Sequence, residues 1–184
     1  DALTGIRWGR YSAGTLGVND RITGTSLGTI DLTNQSLHYI LSGTQNSPTA
    51  LPVTGTYVYS KIGGTSPTDN LGNVGTLNAA SLAANFSTQT VSVSLDATVA
   101  GNTWSAAAVD VPIKSGLFEA TKSTTKSTLS VTSSIGSATG GKLVGAFGGV
   151  NGNGAAILYS LNQGGNISSN ASAVTVSGTA IFRR

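Results

Sequence analysis

Apolar and polar residues alternate along most of the chain, the pattern of strands that have one buried face. The clearest run places Val91, Val93, Leu95 and Ala97 between polar residues. Because successive side chains of a strand point to opposite faces, this run predicts a half-buried strand. Similar runs from residue 55 onward give eight candidate strands, at about 55–61, 75–86, 89–98, 102–110, 115–121, 127–132 continuing toward 142–148, 154–162 and 173–182.

Turn-forming residues separate these candidate strands. Small clusters rich in Gly and Asn, such as Gly101-Asn102, 151–154 and 164–166, are typical of the links between hairpin strands. We therefore predict an all-β fold, an antiparallel eight-stranded up-and-down β-barrel with a small N-terminal β extension, since closure removes free strand edges. The Ser/Thr/Gly-rich segment 122–141 is compatible with a long loop, a hairpin or a strand.

The first 45 residues differ from the rest because only two short alternating segments stand in a Gly/Thr-rich stretch. Those segments carry their apolar and aromatic residues at Ile6, Trp8, Leu37, Tyr39 and Leu41. Prolines at 48 and 52 then indicate a connector, because proline cannot donate to a strand ladder. The prediction is an extension over 1–45 packed on the barrel, a connector over 46–54 and the barrel over 55–184.

The composition indicates a protein that works outside the cytoplasm. Only 9% of the residues are charged, where about 25% is typical, so hydroxyls and amides must coat the surface. We expect an extracytoplasmic chain that is secreted, cell-surface or associated with the outer membrane. There is no cysteine and no apolar run long enough for a transmembrane helix. The start at Asp1 without a signal-peptide pattern suggests a processed product or an excised domain.

The charge pattern argues against a nucleic-acid partner. Ten basic and seven acidic side chains give a net charge of +3, but they are scattered along the chain. Nucleic-acid binding normally needs a denser basic stripe. We expect no nucleic-acid partner.

Several motifs resemble a known family. They are Leu51-Pro52-Val53-Thr54-Gly55-Thr56-Tyr57, Gly141-Lys142-Leu143-Val144-Gly145-Ala146-Phe147 and Val176-Ser177-Gly178-Thr179-Ala180-Ile181-Phe182. Together these are similar to a C-terminal β-barrel domain of proteobacterial envelope proteins, some of them FecR-associated. The last two motifs also resemble the barrel half of transferrin-binding-protein-B-like surface lipoproteins. The resemblance covers about residues 36–184, implies an eight-stranded barrel and transfers no ligand residues.

The chain offers little for catalysis. The sequence Gly24-Thr25-Ser26-Leu27-Gly28 matches the Gly-x-Ser-x-Gly nucleophile elbow, but a helix must follow that motif and a strand or loop is predicted here. His38 is the only histidine and lies in a candidate strand, where a half-buried structural role is expected. With one glutamate, Glu119, and dispersed aspartates such as Asp96 and Asp110, paired-carboxylate chemistry is not expected. We predict that the chain is not an enzyme.

Metal and cofactor sites are not expected either. The best arrangement for calcium is Asp69-Asn70 with Asn73, and it lacks the dense acidic pattern of a calcium loop. A turn stabilised by the Asp69 side chain is the favoured interpretation. No motif for a cofactor is present.

Aromatic and arginine residues concentrate near the N-terminus, and these side chains are enriched at protein-binding hot spots. The candidate partner or docking patch comprises Arg7, Trp8, Arg10, Tyr11 and Tyr39. Two interpretations stay open, one in which the patch binds a partner and one in which it docks the extension on the barrel.

The resulting functional hypothesis is a non-catalytic cell-surface or envelope module, binding or structural, that presents loops to a protein, a glycan or a small ligand. Large side chains are expected to fill the barrel interior, namely Phe86, Trp104, Phe118, Phe147 and Phe182. The alternative is a self-assembling subunit of an extracellular filament or surface layer, in which Thr4 to Tyr11 is the donor strand for a second copy.

Overall fold

The computed structural model describes residues 1–20, 22–42, 51–123, 125, 127–164 and 173–184, with the side chain of Ser42 left aside. Part of the predicted connector (46–50) and of the predicted turn at 164–166 therefore lies outside the described residues. The strands are β1 (Ile6–Tyr11), β2 (Thr15–Asn19), β3 (Ser26–Asp31), β4 (Leu37–Ser42), β5 (Thr56–Gly64), β6 (Thr68–Asp69), β7 (Thr76–Asn85), β8 (Thr90–Val99), β9 (Asn102–Pro112), β10 (Leu117–Lys122), β11 (Ser130–Ser133), β12 (Ala138–Gly148), β13 (Gly154–Gln163) and β14 (Val174–Arg183).

The prediction of an all-β antiparallel barrel is confirmed. One large sheet runs in the order β10-β12-β13-β14-β5-β7-β8-β9-β11, with the short β6 paired to β14. Strand β5 joins the two halves, since its start pairs with β7 and its end pairs with β14. The sheet curls into a nearly closed barrel. In the described residues there is no helix that is long and apolar enough to cross a membrane.

Most strand bounds agree with the alternation of the sequence. The run from Val91 to Ala97 lies in β8, and its four apolar side chains are buried. The sixth candidate strand is two separate strands, β11 and β12, because the chain turns between them. Ile135 donates its backbone N–H to the Ser133 hydroxyl in that turn, and Ser133 bridges to Gly136. The segment 122–141 therefore contains one whole strand and the start of another.

The two ends of the sheet meet at a seam. Strand β11 pairs with β9 only from Trp104 to Ala107, and β10 pairs with β12 on its other side. The chain crosses between these strands near Thr128, whose backbone N–H donates to the Thr121 carbonyl oxygen at 2.8 Å. Beyond that crossing, no strand of the described residues lies between the end of β9 and the start of β10.

Large side chains fill the barrel interior as expected. Phe86, Trp104, Phe118, Phe147 and Phe182 are all buried in one core. The ring of Phe147 is central, with centroids 5.3 Å from Phe86 and 5.5 Å from Phe118. Tilted rings at such distances stabilise a core beyond the burial of their area alone.

The N-terminal residues form two small sheets outside the barrel. Strands β2 and β3 make a hairpin that the Gly/Thr-rich sequence did not predict. Strands β1 and β4 pair antiparallel in a second sheet, here called the N-terminal ribbon. The ribbon packs on the barrel wall through Ile6, which is buried against Ala156 and Ile181.

Candidate functional site

The inner face of the N-terminal ribbon carries Trp8, and this side chain fastens the ribbon to strand β5. Its indole N–H donates to the carbonyl oxygen of Gly64 at 3.3 Å. A Cβ atom on Gly63 would lie only 2.6 Å from the Trp8 ring, so the glycine leaves the space that the indole occupies. The ring therefore lies directly on the β5 backbone. Trp8 makes docking contacts in this structure.

Polar contacts on the same inner face centre on His38. The residue is 6% exposed, and the two nitrogens of its ring lie 2.7 Å from the Thr65 hydroxyl and 2.8 Å from the Thr68 hydroxyl. Burial, together with the smaller effect of the positive charge of Arg10, lowers the pKa of His38 to about 4. The imidazole is therefore neutral at pH 7, and one nitrogen donates while the other accepts.

Arg10 itself extends toward the barrel. Its guanidinium donates to the Ser66 carbonyl oxygen at 3.4 Å. Because Arg10 pairs directly with His38 in the ribbon register, both side chains lie on the inner face. Two members of the predicted patch, Trp8 and Arg10, thus contact the barrel.

The outer face of the ribbon carries the other members of the patch. Alternation along β1 and β4, with the pairs Arg7–Leu41, Gly9–Tyr39 and Tyr11–Leu37, places these six residues on one face. The Tyr39 ring lies over Gly9, where a Cβ atom would be 2.3 Å from the phenol oxygen. The rings of Tyr11 and Tyr39 are 5.2 Å apart with an interplanar angle of 30°.

This outer face is open to solvent. Tyr11 is 51% exposed and Leu41 is 56% exposed, while Arg7 is also exposed and Leu37 is partly so. The patch proposed from sequence is therefore divided between two faces, and Leu37 and Leu41 extend its outer part. In the sequence, Leu37 and Leu41 each lie two residues from Tyr39, and this spacing indicates that all three share one face of a strand.

The remaining candidates for chemistry are engaged in local structure. Ser26 is the first residue of strand β3, and no helix follows it as a nucleophile elbow requires. The Asp69 carboxylate accepts backbone N–H bonds from Leu71 and Asn73 and a side-chain bond from Asn73. Those are turn contacts with N–H donors. Among the described residues no cluster of three or more His, Cys, Asp or Glu is present.

A concave feature of the barrel lies at the seam. A cleft of about 620 Å³ opens between the end of β9 and the start of β10. Its apolar lining is Val109, Val111, Pro112, Leu117, Phe118, Val144 and Gly145. Asp110, Lys114, Glu119 and Thr128 complete it. We call this feature the seam cleft. No local pattern in the sequence indicates this cleft.

No family model matches the chain, and no curated protein matches it. Among solved structures, it is similar to a double mutant of the vaccine antigen transferrin binding protein B from Haemophilus parasuis Hp5, with 13% sequence identity and a TM-score of 0.40. That match covers 94% of this chain and 37% of the other, so this chain spans little more than a third of that protein's length.

Proposed function

We propose that the chain is a non-catalytic binding module of a cell-surface or envelope protein, and that the outer face of the N-terminal ribbon binds a partner protein. The proposal rests on the difference between the two faces of the ribbon, one packed on the barrel and one open to solvent. Trp8 fastens its inner face to the barrel, while Tyr11, Tyr39 and Leu41 remain on the open face. A rigid aromatic surface loses little conformational entropy when a partner binds.

The side chains of the outer face favour a protein over a glycan. Holding a glycan by its hydroxyls needs several hydrogen-bonding side chains, and the six outer residues supply three, two phenols and one guanidinium. They offer two tyrosines, two leucines and one arginine, the types that anchor protein interfaces or extend their apolar contact. The six residues of the outer face are far fewer than the roughly 20–30 residues that each partner contributes to a standard interface, so the partner also contacts surface around the ribbon.

The non-catalytic assignment rests on the few groups that chemistry would use. The only histidine is enclosed between two threonine hydroxyls, and the only glutamate forms an ion pair with Lys142 at 3.1 Å. The serine of the elbow motif begins a strand. These observations support binding as the function.

A filament built by strand exchange would need the segment Thr4 to Tyr11 to be available for pairing with a second copy. Strand β1 pairs with β4 of its own chain, and Thr4 is buried against Gly154. The Asp1 carboxylate accepts the Thr4 backbone N–H at 3.1 Å. The segment Thr4 to Tyr11 is therefore used within the chain, and we do not propose strand exchange.

Site-specific photo-crosslinking tests the proposal. A benzophenone amino acid replaces Tyr11 or Leu41 on the outer face, and matched controls carry it at Val53 or Val58, which are exposed elsewhere. After irradiation of cells that make the protein, we expect one shared adduct from the two ribbon positions and none from the controls. An absence of adducts at the ribbon, or the same adducts from all four positions, would overturn the proposal.

A further inference from the structure

The seam cleft lies beside a β-bulge in strand β9. Val91 pairs with Val111 while Val93 pairs with Ala108, so Val109 and Asp110 form a β-bulge. Asp110 adopts a φ of 53°, a left-handed conformation that non-glycine residues rarely take. Bulges bend the strand, increase its twist and occur often beside functional sites. Both bulge residues, Val109 and Asp110, line the cleft.

The cleft reaches from the surface to the barrel core. Val109 and Leu117 lie on opposite sides of the cleft entrance and are 73% and 58% exposed. Val111 and Phe118 line it more deeply and are buried within the core. The cleft therefore has exposed apolar residues at its entrance and buried apolar residues at its base. Sites for small apolar ligands are typically concave and lined mostly by apolar side chains in this way.

We propose that the seam cleft is a binding site for a small apolar molecule that carries an aromatic ring or an acyl chain. Its volume of about 620 Å³ falls within the range of roughly 300–1,000 Å³ that is usual for small-molecule sites. The ring or chain lies between Val109 and Leu117 and contacts Phe118. Polar groups of the ligand remain near Asp110 and Lys114, which also line the cleft.

A polypeptide strand does not fit the same space. The cleft is closed at one end by the turn in which Lys114 and Leu117 exchange backbone hydrogen bonds of 2.8 and 2.9 Å, and Thr128 lies at the other end. The edge of β9 is also unsuited to a new ladder, because Pro112 has no N–H and Asp110 lies in the bulge.

Fluorescence titration with N-phenyl-1-naphthylamine, a neutral apolar probe, tests this proposal on the 184-residue chain. We expect saturable binding with one probe per chain. The variant V109E/L117E places two charges at the cleft entrance and is expected to bind the probe at least tenfold more weakly than the unmodified chain. The matched control V53E/V58E adds the same charge at exposed valines elsewhere and is expected to stay within twofold of the unmodified chain.

Amide chemical-shift mapping on the unmodified chain keeps the test decisive if V109E/L117E does not fold. The probe is expected to shift amides of residues 109–111, 113–119, 128 and 144–145. No saturable binding, equal weakening in both variants, or shifts confined to other surfaces would overturn the proposal. The outer face of the ribbon plays no part in this site, so either proposal can fail without the other.

Discussion

Acidification is expected to destabilise the protein through His38, because its imidazole is buried and neutral. The folded pKa is about 4 and the unfolded pKa is about 6.5. Between these values the unfolded chain binds a proton that the folded chain does not, so the free energy of unfolding falls as pH decreases from 6.5 toward 4. Above about pH 7.5 the contribution is fully present.

The magnitude follows from the difference in pKa. A difference of about 2.5 pKa units corresponds to roughly 3 kcal/mol in full, of which about 2 kcal/mol is lost between pH 7.5 and pH 5. For a chain of this length, that loss lowers the melting temperature by about 5 °C. Protonated His38 can still donate to Thr65 and Thr68, so the cost is electrostatic and comes from burial and from Arg10.

Thermal unfolding from pH 7.5 to pH 5 measures this effect, with His38→Gln as the comparison. The variant keeps hydrogen-bonding groups near the two threonines and removes the titratable ring, so its stability is expected to be nearly constant over this range. NMR titration of the single histidine gives its pKa directly, and Arg10→Gln is expected to raise that pKa. An unchanged pH dependence in His38→Gln would refute the reasoning.

Two further predictions use matched pairs in the barrel and the ribbon. Tyr159 has a buried hydroxyl without a hydrogen-bond partner in the described structure, whereas the Tyr59 hydroxyl donates to a backbone carbonyl at 2.6 Å. Denaturant unfolding is expected to show Tyr159→Phe as neutral or stabilising and Tyr59→Phe as destabilising by about 1 kcal/mol, and the reverse order would contradict this assignment. Gly63→Ala displaces the Trp8 ring, so its tryptophan emission is expected to shift to longer wavelength, while Gly17→Ala, with open space around it, leaves emission unchanged. Equal emission from both variants would show that Trp8 does not lie on β5.

Alternation in the sequence predicted the barrel strands because each has one face in the core. It also separates Arg7 and Tyr11 from Trp8 and Arg10, since odd spacings along a strand point to opposite faces. The face of Tyr39 depends on the register of β1 with β4, and these strands are separated by an intervening hairpin. Long-range register of this kind is not encoded in local alternation.

The seam is a second feature that local sequence cannot show. The bulge at Asp110 depends on how β9 pairs with β8, and the free edge exists only because β11 stops pairing at Ala107. The turn between β11 and β12 is stabilised by one serine hydroxyl in a segment that is rich in serine, so its position was ambiguous. The division of the chain at residue 45 stays a prediction.

The most direct test of the central claim is the affinity for the partner identified by crosslinking. Biolayer interferometry compares the unmodified chain with Tyr11→Ala/Tyr39→Ala on the outer face and with Val53→Ala/Val58→Ala as an exposed control. Removing the two rings is expected to weaken binding at least tenfold, and the control is expected to stay within twofold. Unchanged affinity in the tyrosine variant, with its fold intact by circular dichroism, would contradict the assignment of the outer face as the binding surface.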